Sequence, residues 1–250
     1  MVTKHKMKGA EAMKQYVLVT GTGRPMALGF NFVLRYLEQG ADVIATVRRP
    51  SEGLEELKKK YPDTLHVLEM DVGSTESVNK AYEEAVKLVP CLDTVINNAV
   101  TTSPDTAKEL EEFNLDDIPA VINVDAVGPL RVVKTFMPLM KKSPIPALIV
   151  NISSEAGSIG KCYRSYYLDY GMAKAGMNMS TKTLHNKFKD DPMMNIICVH
   201  PGWMHTNEGN AKAPFEPYDH AETMRLMFET KRKDKEGPIF VTWAGEEYPW

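Results

Sequence analysis

A single α/β domain, with a parallel sheet covered by helices on both faces, is the fold class that the sequence predicts. Three observations carry it. Short runs rich in β-branched residues recur along the chain, longer stretches with helical apolar spacing lie between them, and the short runs are apolar throughout. Continuous apolar strands are those buried on both faces, as in a parallel sheet whose crossovers are helices. At 250 residues and 43% hydrophobic content the chain can build one substantial core.

Residues 1–15 form a polar lead, read as a mobile extension, and residues 16–250 form the domain. Strands are expected over Tyr16 to Thr20, Asp42 to Val47, Leu65 to Met70, Thr94 to Asn97, Ala147 to Ile152, Asn195 to Val199 and Ile239 to Thr242. Helical stretches are expected near residues 27–39, 51–60, 75–89, 117–141, 165–189 and 219–231. Residues 142–146 read as a Pro-broken loop ahead of a strand. The result is a Rossmann-type doubly wound domain: a seven-stranded parallel sheet flanked by helices on both faces, with ligands expected beyond the carboxyl ends of the strands.

Composition narrows the function. A formal charge of -3 and a pI near 6.1 give no basic footprint for nucleic acid. The short clusters Lys58-Lys59-Lys60 and Lys231-Arg232-Lys233 sit beside acids and read as solvated helix ends. Cys91, Cys162 and Cys198 are odd in number and widely spaced, which suggests a reduced, cytoplasmic setting and no metal site. No apolar run reaches membrane-span length, and the start Met-Val-Thr-Lys-His-Lys lacks the apolar core of a signal peptide. A soluble protein that is not exported is expected.

The chemical motifs fall at strand ends. The first strand runs into Thr20-Gly21-Thr22-Gly23-Arg24-Pro25-Met26-Ala27-Leu28-Gly29, a turn ahead of an amphipathic helix. Such a turn offers backbone N–H groups and a helix dipole to a pyrophosphate. The stretch resembles the TGxxxGxG fingerprint of the short-chain dehydrogenase/reductase family, with Pro25 and Ala27 where that family has its second and third glycines. Proline has no N–H to give but is favoured at the first helical position. An altered phosphate turn is therefore expected, with Gly21, Gly23, Arg24, Pro25 and Met26 against the cofactor. The second strand continues into Arg48-Arg49 with no acid for ribose hydroxyls, and guanidiniums suit a 2′-phosphate. NADP(H) is the expected cofactor, bound through Arg48 with Arg24 in reach. Asp71-Val72 resembles the family's adenine-contacting pair, although Asp71 fits equally as a cap for the helix beginning near Ser74. Asn97-Asn98-Ala99-Val100 resembles its NNAG motif, with Asn98 and Ala99 bordering the ribose and Val100 in place of glycine.

Tyr170 and Lys174 stand four residues apart on an expected helix, so phenol and ammonium share a face. The ammonium stabilises an ionised phenol, which fits the pair for proton transfer. Ser154 closes the Val150-Asn151-Ile152-Ser153-Ser154 strand end, 16 positions before Tyr170. The resemblance makes Ser154 the catalytic serine, Tyr170 the acid/base, Lys174 the lysine that also meets the nicotinamide ribose, and Asn123 the asparagine completing the tetrad. It also carries Pro201, Gly202 and Thr206 to the cofactor, from the run His200-Pro201-Gly202-Trp203-Met204-His205-Thr206. His200 reads as strand-end structure, and His205 reads equally as pocket lining or as bland structure.

The implied reaction moves hydride between nicotinamide and the carbonyl or alcohol of a small molecule. The pocket is expected from residues 156–168 and 203–218, whose Tyr163, Tyr166, Tyr167, Trp203, Met204 and Phe215 suit an apolar or aromatic substrate or simply pack the loops. Two other readings stay open. Tyr167 lies seven positions before Lys174, the spacing of enoyl reductases that act on an activated C=C bond; Pro25, Ala27 and Val100 fit a non-catalytic NADP(H) sensor. The loop from Glu155 to Asp169 and the ending Trp243 to Trp250 resemble the C-factor and sniffer-type carbonyl reductases. Assembly as a homodimer or homotetramer through helices 117–141 and 165–189 is implied by the same resemblance.

Overall fold

The protein is described here by a computed structural model covering residues 14–206 and 212–250. Its seven strands are β1 (Tyr16–Thr20), β2 (Asp42–Val47), β3 (Leu65–Glu69), β4 (Thr94–Asn97), β5 (Ala147–Ile152), β6 (Met194–His200) and β7 (Phe240–Thr242). They form one sheet in the order β3-β2-β1-β4-β5-β6-β7, with every named pair parallel. The order reverses between β1 and β4. Loops leaving the carboxyl ends of those two strands diverge there and open a crevice.

Side chains alternate faces along each strand, so the sheet carries two cores. Val17 and Val19 of β1 pack with α1 (Leu28–Glu38), α2 (Glu52–Lys60) and α7 (Pro217–Lys231), where Phe32, Tyr36, Leu54 and Phe228 are buried. Leu18 points the other way, toward α3 (Thr75–Leu88) and α5 (Gly128–Met140), and Phe188 of α6 (Leu168–Phe188) joins it.

Most of the expected mobile extension, residues 1–13, lies outside the described residues, but its last two residues are tied down. Lys14 Nζ lies 2.9 Å from an Asp42 oxygen, Gln15 donates to Glu229 at 3.1 Å, and its carbonyl accepts from the Asp42 N–H. The helical stretch expected near 117–141 is helical from Ile118 to Met140 but carries a π turn inside it. It comprises α4 (Ile118–Ile122), a π-helical turn (Asn123–Val127) and α5. A π turn takes more residues per turn than an α-helix and so changes which side chains face inward.

Candidate active site

One cavity of about 1220 Å³ opens over the carboxyl ends of the strands and is lined from the first turn through to the chain's last segment. At one end stands the turn after β1. Gly21, at φ 71°, brings backbone against backbone: a Cβ there would lie 2.6 Å from Ala99 Cα. Gly29 is as constrained, since a Cβ would overlap Asn98 Nδ2 and lie 2.7 Å from Gly21 O. The sequence reading passed over Gly29, yet it supplies the close helix approach that Pro25 and Ala27 cannot. Carbonyls of this turn are engaged by protein. Ser51 Oγ donates to Gly23 O at 2.7 Å, and Asn31 Nδ2 donates to Pro25 O and Ala27 O at 3.0 and 2.9 Å. Among the described residues the N–H groups of Gly23, Arg24 and Met26 donate to no protein atom. Arg24, Arg48 and Arg49 line the same end, exposed and with no acid paired to them among the described residues. Donors and uncompensated cations suit a phosphorylated ligand.

Asn98 clips this end to β1. Its side chain donates to Thr20 O and Gly21 O, while the Asn98 and Ala99 N–H groups both donate to Thr20 Oγ1 at 3.0 Å. Val100 lines the cavity. The Asp71 carboxylate accepts from Gly73 N–H, and Ser74, not Asp71, caps α3. Val72 lines the cavity.

Ser154, Tyr170 and Lys174 all line the cavity. Lys174 is buried, donates to Ile152 O at 2.9 Å and lies 5.5 Å from the Tyr170 ring centre. Gly157 makes this possible, because a Cβ there would lie 2.8 Å from the Lys174 backbone carbon. Asn178 ties the two segments again, accepting from Ser153 Oγ at 2.6 Å and donating to Gly157 O at 3.0 Å. Asp169 fixes the start of α6 by accepting from Ser103 N–H and Thr106 Oγ1 at 2.7 Å each.

Asn123 is not part of this group. Its amide donates to Gly73 O at 2.9 Å, and its oxygen is taken by Arg131. The residue that reaches Lys174 is Asp125, fully buried, with Oδ1 accepting from Thr101 N–H at 2.8 Å and Oδ2 lying 3.5 Å from Lys174 Nζ. Burial raises the Asp125 carboxyl above the ordinary aspartate range, and Lys174 offsets only part of that. The signal was in the sequence: Asp125 sits in the buried stripe Val121, Asp125, Gly128, Val132, Phe136, spaced by three and four.

The far end holds groups that the sequence reading did not single out. Ser154 Oγ donates to Glu155 Oε2 at 2.6 Å, and Glu155 Oε1 accepts from Arg164 Nε at 2.6 Å and Nη2 at 2.5 Å. Burial pushes the Glu155 carboxyl up, but the hydrogen bonds from Ser154 and Arg164 outweigh it and hold the group below the usual glutamate range. His200 Nδ1 lies 3.9 Å from Glu155 Oε2 and the ring packs on Tyr248, while burial holds its pKa below the ordinary histidine value. Tyr163, Trp203, Met204 and Tyr248 complete the lining, with Pro201, Gly202 and Thr206 beside them. Tyr166, Tyr167, Phe215 and His205 are not lining residues. Phe215 stacks on His220 with ring centres 4.2 Å apart, His205 meets Glu216, and Tyr167 lies under the Arg164 guanidinium. No cluster able to hold a metal ion occurs among the described residues.

The model of the short chain dehydrogenase family matches residues 15–216. The chain belongs to the short chain dehydrogenase family. Among curated relatives, an uncharacterized oxidoreductase of Schizosaccharomyces pombe is 32% identical over 173 residues, which cover 68% of this chain and 66% of that protein. The chain thus spans just under two thirds of that relative's length. Among solved structures, the NADPH-bound carbonyl reductase from chicken fatty liver is 26% identical with a TM-score of 0.82, covering 95% of this chain and 99% of its own. The carbonyl reductase Sniffer of D. melanogaster has the same fold, with a TM-score of 0.83 at 24% identity over 96% of this chain and all of its own. The doubly wound sheet and the resemblance to carbonyl reductases read from the sequence are both met. In this short chain dehydrogenase Ser154, Tyr170 and Lys174 line one cavity, and Asp125, not Asn123, is the side chain that reaches Lys174.

Proposed function

We propose that this short chain dehydrogenase is an NADP(H)-dependent oxidoreductase acting on the carbonyl or alcohol of a small molecule, with Tyr170 as acid/base. The observation that carries this is the convergence of Tyr170, Lys174 and Ser154 on the cavity that also holds Arg24, Arg48 and Arg49. A bound nicotinamide supplies or takes the hydride. The free N–H groups of Gly23, Arg24 and Met26 suit its pyrophosphate, and the arginines suit a 2′-phosphate.

In the reductive direction Tyr170 gives its phenolic proton to the substrate oxygen as negative charge develops there. Lys174, anchored by Ile152 O and backed by Asp125, keeps a positive charge beside the phenol. Ser154 lines the same cavity from the strand end after β5. In the oxidative direction the ionised Tyr170 takes the alcohol proton. Tyr163, Trp203, Met204 and Tyr248 offer aromatic and thioether surface to the substrate, while Glu155 and Arg164 make one wall polar, which the sequence reading did not foresee.

Reading the oxidation of NADPH over a panel of ketones, quinones, steroids and enones tests this. Tyr170→Phe should lower turnover about 10²–10⁴-fold, the usual worth of positioned proton transfer. Tyr167→Phe should leave it near wild type; loss on Tyr167→Phe alone would transfer the role to that phenol. NADPH bound no more tightly than NADH would remove the cofactor assignment.

A further inference from the structure

Ser154 does not present a free hydroxyl to the cavity. Its proton is engaged by the buried carboxylate next to it in sequence, 2.6 Å away, and one of its lone pairs accepts from Ala156 N–H at 3.2 Å. Arg164 holds the other carboxylate oxygen through two nitrogens, so Glu155 cannot turn away without breaking that pair. A hydroxyl has one proton and two lone pairs. With the proton on Glu155 and one pair on Ala156, what remains for a substrate oxygen is an acceptor.

Resting on the functional reading above, we propose that Glu155 is a positioning residue that turns Ser154 into a hydrogen-bond acceptor toward the substrate oxygen, so that the site recognises a hydroxyl in preference to a carbonyl. An alcohol donates its O–H to Ser154. A ketone has no proton to give and meets the serine lone pair, unless Ser154 breaks its bond to the carboxylate. Hydrogen bonds to charged groups are worth about 10- to 100-fold in an equilibrium constant, so the discrimination is expected on that order. The carboxylate is ionised at neutral pH, since its pKa is held below the usual glutamate range. His200 stays neutral beside it, burial keeping its pKa low.

Glu155→Gln tests the inference directly. Arg164 still requires an oxygen, which leaves the new amide NH₂ facing Ser154 and frees the serine proton for the substrate. The readout is binding in two combinations where no hydride can move: a secondary alcohol to the NADPH complex, and its ketone to the NADP⁺ complex. The pair used is the one the wild type turns over fastest. In Glu155→Gln the ratio of the ketone to the alcohol dissociation constant should fall on the order of 10-fold or more. Ser154→Ala approaches the same question without touching the ion pair: alcohol binding should weaken on the order of 10-fold while ketone binding is unchanged or tighter. Equal effects on both ligands in either variant overturn the inference and leave the functional reading standing. A wild type that binds NADPH but turns over none of the panel overturns the functional reading itself.

Discussion

Lys174 is held by two oxygens of different kinds, the Ile152 carbonyl and the Asp125 carboxylate, and the second is the larger departure from what residue types alone suggest. An aspartate within a helical stretch ordinarily faces solvent, whereas this one is buried against a buried ammonium. Removing one member of such a pair strands the other charge. Asp125→Asn is expected to lower the free energy of unfolding by about 3–5 kcal/mol in urea titrations and to reduce turnover with it. Asn123→Ala, by contrast, loses contacts to Gly73 and Arg131 and should cost about 1–2 kcal/mol with turnover close to wild type. The reverse ranking would return Asn123 to the site. Tyr170, Lys174 and Ser154 were legible because a phenol, an ammonium and a strand-end hydroxyl announce their chemistry by spacing. Glu155 and Arg164 were not, and Asp125 was legible only as a buried helix position, not as a partner of Lys174. Each acts through a neighbour whose proximity depends on the π turn or on the path of the loop after β5, and neither path is written in local propensity.

The strands were nearly all legible, since runs buried on both faces are apolar along most of their length; β1, β2, β4 and β5 fall on the expected residues. Helix boundaries held within about two or three residues because Ser51 and Ser74 cap α2 and α3 with side-chain hydrogen bonds. The helix from 117 to 141 was not legible as three pieces, because its apolar stripe continues through the π turn. At the turn after β1, the missing second and third glycines of the fingerprint pointed to a weakened cradle. The structure relocates the close approach to Gly29, inside α1 and against Asn98 and Gly21. Gly29→Ala should therefore displace the Asn98 clip, costing about 1–3 kcal/mol of stability and weakening NADPH binding in fluorescence titrations. Unchanged affinity with unchanged stability would show that the clip gives way freely.

For the whole molecule, strand order places the arginine end and the tyrosine end on one side of a single sheet, so one extended ligand would touch β1, β2, β4, β5 and β6 loops together. A ligand bound only by the folded state stabilises all of it. NADPH at about 100 times its dissociation constant should add about 2.7 kcal/mol, which for a domain of this size raises the melting temperature by about 5–10 °C. The replacement of Arg48 and Arg49 by alanine should remove most of that shift at the same NADPH concentration while leaving any smaller NADH shift in place; a shift insensitive to both arginines would locate the phosphate elsewhere. The contact of Gly157 with the Lys174 backbone has a different consequence. It welds the serine segment to the tyrosine helix, whereas Tyr163 and Trp203 reach the cavity from surface loops outside that weld. Chemistry and recognition are thereby separable: descendants of this chain could exchange their outer walls and change diet without retuning the proton-transfer machinery, and an engineer seeking new substrates should randomise those walls and leave Gly157 alone.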